Sequence, residues 1–159
     1  MATVHFREEQ RFSPAIIITS VIALVVGLAL LLVPSARLAG VIVAWTAGAT
    51  ALLFTVLKLV TEVRDDGLYV RLFPLPFRRI ALEDIASYQV RTYRPILEYG
   101  GWGLRFGFSG VAYNARGNRG VQLVLRSGKR VLIGSQQPEA LEAAIAAAAG
   151  QPSQVTAEE

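Results

Sequence analysis

Arginine is the residue type with the most to offer chemically, at Arg78, Arg79, Arg91, Arg94, Arg105, Arg116 and Arg119. A guanidinium binds phosphate or carboxylate bidentately and is drawn to an anionic membrane face. Several of these arginines lie around a glycine-rich stretch, Tyr99–Gly110, with Gly100, Gly101, Gly103, Gly107 and Gly110. Its spacing matches neither the GxxxxGK[ST] phosphate loop nor a GxGxxG unit set between a strand and a helix. The glycines read instead as tight turns, bulges and points of close strand approach. Aromatic residues gather there: Tyr93, Tyr99, Trp102, Phe106, Phe108 and Tyr113. The reading is a partner-binding loop or a loop that dips into a membrane interface. The candidate contact residues are therefore Arg78, Arg79, Arg91, Arg94, Tyr99, Trp102, Arg105, Phe106, Arg116 and Arg119.

Other chemistries have little material. There is no cysteine, which excludes disulfides, thiolate metal sites and a cysteine nucleophile. His5 is the sole histidine, so neither a histidine metal site nor a Ser-His-Asp triad can be assembled. Asp65/Asp66 and Glu83/Asp84 are adjacent pairs, and adjacent strand residues point to opposite faces, so neither forms a natural acid–base dyad. The net charge of +4 admits nucleic acid as a partner, but no helix-turn-helix, RNP-like or zinc motif is present. The expectation is a non-enzymatic protein without cofactor, metal or nucleic acid.

The elements that must carry these residues divide in two. Ala15–Val33 is free of charge and as a helix would run roughly 28 Å, close to the hydrocarbon thickness of a bilayer. Pro34, Ser35, Ala36 and Arg37 follow, and Leu38–Leu57 is uncharged up to Lys58. A signal peptide is the rival for the first run, but the apolar core is too long and a second run follows at once. The expectation is a transmembrane helical hairpin over residues 15–58. A small-residue stripe, Gly40, Ala44 and Gly48, suits either the internal hairpin or a homo-oligomer. Arg7, Arg11, Lys58 and Arg64 flank the pair and only Arg37 lies between them, so both termini should be cytoplasmic in a multi-pass protein of the cell membrane. Residues 1–14 then form a cytoplasmic N-terminal segment.

From Val60 the pattern turns to period two, with a hairpin turn at Asp65-Asp66-Gly67 and a second at Arg126-Ser127-Gly128-Lys129. Pro138 starts a final helix that Gly150 stops, with Leu141, Ile145 and Ala148 on one face. About seven short strands and this helix make a domain over residues 60–150, a bent sheet or split barrel closed by the helix. Residues 151–159 read as a disordered tail.

Four phrases carry a family resemblance: Thr61-Glu62-Val63-Arg64-Asp65-Asp66-Gly67-Leu68, Leu82-Glu83-Asp84-Ile85, Tyr99-Gly100-Gly101-Trp102-Gly103 and Gly128 to Gln136. With the plan of strands and helix, the chain resembles bacterial PH-like domain membrane proteins, an uncharacterised prokaryotic group with an N-terminal transmembrane pair. The resemblance implies seven strands capped by a C-terminal helix and says nothing of activity. Eukaryotic PH domains grip phosphoinositides with basic residues around the first hairpin, and here that turn, read as Asp65-Asp66-Gly67, would repel phosphate. The expected role is a membrane-anchored module that presents a surface to a protein partner. Recognition of anionic lipid headgroups, or service as an accessory subunit of a transporter or enzyme complex, is the alternative.

Overall fold

The computed structural model describes residues 3–107 and 110–150. The expected tail over residues 151–159, and Phe108, lie outside the described residues. The chain forms two compact units. One runs from Phe12 to Leu57; the other joins the chain up to Arg11 with the chain from Lys58 onward.

The Phe12–Leu57 unit is a helical pair, α1 (Pro14–Leu30) and α2 (Arg37–Val56), joined through a short turn at Pro34–Ala36. Ser13 caps α1, its hydroxyl accepting from the Ala15 N–H, and Pro14 supplies a first-turn residue with no N–H to satisfy. α1 ends at Leu30, short of the expected Val33, because Leu31 to Val33 already turn toward Pro34. Pro34–Val56 is the one helical stretch long and apolar enough to cross a membrane among the described residues. Contacts between Gly27 and Ala44, and between Gly40 and Leu30, show the helices antiparallel. Gly27 is where they touch most closely: a Cβ there would lie 2.5 Å from the Ala44 backbone nitrogen. Gly40 and Ala44 of the small-residue stripe thus face α1, while Gly48 meets only Leu24 at a distance. Thr19, Ser20, Thr46, Thr50 and Thr55 turn their hydroxyls back onto carbonyls of the preceding turn, so each of these hydroxyls has an acceptor within its own helix.

The second unit holds nine strands in two sheets among the described residues, with two further helices. The first sheet is a meander in the order β1 (Val4–Arg11), β2 (Lys58–Arg64), β3 (Gly67–Phe73) and β4 (Arg78–Ile80). The second has the order β5 (Ile85–Thr92), β8 (Arg119–Leu125), β9 (Arg130–Gly134), β7 (Gly110–Asn114) and β6 (Gly103–Gly107). Only β7 and β9 run parallel. The last helix, α4 (Pro138–Ala149), packs against β1, β2, β5 and β8 and so bridges the sheets, burying Leu141, Ala144 and Ile145. α3 (Pro95–Tyr99) is described below with the site it builds.

β1 is a strand that the polar, mixed-charge composition of the N-terminal segment conceals. It pairs with β2 from Val4 opposite Arg64 to Arg11 opposite Lys58. Its inward residues are Glu8 and Gln10, both buried and both polar. Glu8 accepts hydrogen bonds from the Ser135 hydroxyl at 2.5 Å and the Gln136 N–H at 2.8 Å. The Gln10 amide donates to the Gly134 carbonyl at 2.8 Å. These bonds tie the first strand to the junction of β9 and α4. The acidic turn Asp65-Asp66 therefore joins the second and third strands. The connection between the first two is the helical pair itself, which corrects the equation of Asp65-Asp66 with the first turn.

Replacing Glu8 by alanine removes the acceptor of two buried donors and should cost roughly 1–3 kcal/mol. Equilibrium unfolding of the full chain in detergent measures it; an unchanged midpoint would mean the clasp contributes nothing. Gly27→Val should lower the thermal midpoint as the new side chain meets Ala44, whereas Gly48→Val, whose Cβ has only Leu24 at 4.0 Å, should leave it nearly unchanged.

Candidate functional site

The segment between β5 and β7 builds the most distinctive surface of the β unit. Tyr93 ends β5's run, its N–H donating to the Asn118 carbonyl, and its ring is buried edge-to-face against Tyr99 at 6.1 Å. Pro95 then opens α3, a single short turn. Glu98 holds that turn from within. One carboxylate oxygen accepts the Arg94 N–H at 2.7 Å, and the other accepts the Arg91 guanidinium. Gly100 ends the turn in the left-handed conformation at φ 71°, with its N–H on the Ile96 carbonyl and that of Gly101 on the Pro95 carbonyl. These two bonds close the end of the turn around a left-handed residue, a conformation that favours glycine.

With Tyr99 and Glu98 committed inward, Ile96 and Leu97 are forced outward, and Leu97 is 76% exposed. The chain returns through Trp102, whose indole N–H donates to the Gly117 carbonyl at 3.0 Å while the ring stays partly exposed. The Gly103 N–H is received by the buried Asn114 side chain at 2.8 Å. β6 follows with Arg105, whose Nε donates to the Trp102 carbonyl, and Phe106, 78% exposed. β6 pairs with β7 alone and is the edge of its sheet. Neither Arg94 nor Arg105 has a carboxylate partner among the described residues. The result is an apolar surface of Ile96, Leu97, Trp102 and Phe106 with two guanidinium groups that have no acid partner among the described residues.

Behind this surface lies a buried polar layer. The hydroxyls of Tyr93 and Tyr99 and the Asn114 side-chain amide nitrogen are buried with no hydrogen-bond partner among the described residues. Burial pushes both phenol groups above the ordinary tyrosine range, so they remain protonated donors.

The ten residues selected from the sequence do not form one site. Arg91, Arg94, Tyr99, Trp102, Arg105 and Phe106 share this segment, but Tyr99 is buried and Arg91 is held by Glu98. Arg78 and Arg79 belong to β4: Arg78 reaches the Tyr113 hydroxyl at 3.4 Å and Arg79 donates to the Asp66 carbonyl at 2.7 Å. Arg119 pairs with Glu139 in the first turn of α4, where the residue's own backbone N–H and then this arginine hold the carboxyl below its usual range. Arg116 lines a polar groove of about 520 Å³ with Arg7, Arg11, Gln136 and Gln137. Ile96 and Leu97 were not among the ten; the signal for them was Pro95, a helix-start residue followed by two large apolar side chains with no periodic partner.

The chain belongs to a family of unknown function (DUF6141), whose model matches residues 3–151. No curated protein and no solved structure matches it.

Glu98 makes the turn possible, so Glu98→Ala should loosen it by about 1–2 kcal/mol without unfolding the sheets. Amide hydrogen exchange over residues 94–101 should accelerate while that of β8 and β9 stays unchanged. Equal protection in both proteins would show that Glu98 does not hold α3.

Proposed function

We propose that this protein is a non-enzymatic, membrane-anchored module of PH-like plan whose α3–β6 surface docks a protein partner. The observation that carries the docking role is the exposure of Leu97, Trp102 and Phe106 beside Arg94 and Arg105 on an edge strand. Aromatic residues and arginine dominate the energetics of protein interfaces, and an edge strand offers backbone groups for pairing. A surface of this kind without an occupant is costly in water, at roughly 25 cal/mol per Å² of apolar area.

The membrane reading rests on the helical pair. α2 has no charged residue after Arg37, and Leu32, Leu38, Trp45 and Leu52 of this unit are exposed. The pairing of Arg11 with Lys58 supports a hairpin that starts and ends on one side of the bilayer. The cations Arg7, Arg11, Lys58 and Arg64 on the flanking strands favour the cytoplasmic side. The PH-like plan draws support from the topology: with the β6–β7 hairpin set aside as an insertion, β1 to β4, β5, β8 and β9 are seven strands capped by α4.

The docking role is tested by a photo-crosslinking residue placed in turn at Leu97, Phe106 and Ser127 of the full chain in native membranes. Leu97 and Phe106 should yield the same discrete protein adduct, lost with Arg105→Glu, and Ser127 should not. Lipid adducts alone, or different products at each position, would overturn it. The anchor is tested separately: the chain should stay in the membrane fraction after alkaline carbonate extraction.

A further inference from the structure

The connection between β3 and β4 reads Phe73-Pro74-Leu75-Pro76-Phe77, an apolar run without one polar side chain. Pro74, Leu75 and Pro76 are exposed. What distinguishes it from an ordinary exposed loop is its backbone. Pro74 and Pro76 have no N–H, and the Leu75 N–H is bonded to the Leu72 carbonyl at 2.9 Å. The tip therefore offers no unsatisfied donor, the condition for placing irregular backbone in a medium poor in water.

Cations surround the run. The Arg71 guanidinium lies 5.3 Å from the Phe73 ring centre and 4.2 Å from that of Phe77, and the Lys58 ammonium lies 5.8 Å from Phe73. The Arg71 Nε is buried without a hydrogen-bond partner among the described residues. No ion pair of Arg71 with an acid is present among the described residues, and Glu9 is held by Lys58 at 3.0 Å.

Strand register fixes where along the sheet this loop sits. Phe73 is opposite Lys58, and Lys58 is opposite Arg11. Arg11 and Lys58 are the residues at which the chain passes to and from the helical pair. The acids Asp65 and Asp66 sit at the other end of β2, roughly 20 Å away for a strand of this length.

We infer that the Phe73–Phe77 loop is an interfacial anchor: Leu75 and its flanking prolines enter the headgroup–acyl boundary of the bilayer, and Arg71 and Lys58 meet lipid phosphates. The inference rests on the reading of the helical pair as membrane-spanning, since only then does the Arg11–Lys58 end of the sheet lie at headgroup level. The occupant is a bilayer because the loop sets an apolar tip among cations, and that tip, Pro74 to Pro76, has no free donor for a peptide strand.

The absence of cysteine makes the test direct. Full-length Leu75→Cys and Asp66→Cys proteins carry an environment-sensitive fluorophore in vesicles of phosphatidylcholine and phosphatidylglycerol. The Leu75 label should emit to the blue, be quenched severalfold more by shallow spin-labelled lipids than the Asp66 label, and resist aqueous iodide. Adding Arg71→Glu should return it toward the Asp66 values. Equal iodide access at both positions would overturn the anchor. In a Trp102→Phe background, Trp45 is the remaining tryptophan and reports α2 separately through brominated acyl chains. Quenched Trp45 with a solvent-exposed Leu75 label defeats the anchor alone, whereas unquenched Trp45 defeats the membrane reading beneath it.

Discussion

The pairing of Arg11 with Lys58 is the constraint on which the rest depends. Two strands separated in sequence by the whole helical pair run antiparallel and in contact over their full length. Opposed residues in such a ladder have Cα atoms about 4.5–5.5 Å apart, so the helical pair must return to the point it left. The antiparallel helical pair, closed by the contact of Gly27 with Ala44, meets that requirement. The same pairing makes β1 part of the first sheet, and the bonds of Glu8 to Ser135 and Gln136 carry the constraint on to the start of α4. Within the β unit, the first strand and the start of the last helix are thus tied together directly.

The arginines show how much of a conspicuous composition goes into scaffold. Arg64 pairs with Glu62 and covers the Tyr69 ring, Arg79 holds the Asp66 carbonyl, Arg91 holds Glu98 and Arg119 holds Glu139. Partly exposed pairs of this kind contribute about 0–1 kcal/mol each and mainly set local geometry. Arg94 and Arg105 have no acid partner among the described residues, a property they share with Arg78 and Arg116, and what sets these two apart is their place beside α3. A surface role for arginine therefore rests on position, not on number.

The hairpin turn at Asp65-Asp66, the turn at Ser127-Gly128 and the helix from Pro138 were legible because each has a local cause: turn chemistry, period-two alternation or capping. β1 was not. Its inward residues, Glu8 and Gln10, are polar, and their partners stand far downstream at Gly134 to Gln136, so no local pattern marks the strand. The parallel pairing of β7 with β9 was equally hidden, because it is a long-range choice made by the sheet. At the site, the segment was legible and its inside and outside were not. α3 is too short for helical periodicity to show a face, and which side chains point outward is decided by the bonds of Glu98 and the burial of Tyr99 against Tyr93.

The β unit carries two exposed apolar surfaces, and backbone chemistry separates what each can meet. The α3–β6 surface ends at an edge strand whose outward amides and carbonyls have no ladder partner. Such groups cost several kcal/mol each if taken into hydrocarbon, so that surface is suited to a protein, which can pair them. The Phe73–Phe77 loop has prolines where such amides would be, and its remaining tip N–H is already bonded within the turn. That tip, Pro74 to Pro76, gives a protein partner little to hydrogen-bond. Side-chain composition alone, aromatic and basic in both places, does not draw this distinction; the state of the N–H groups does.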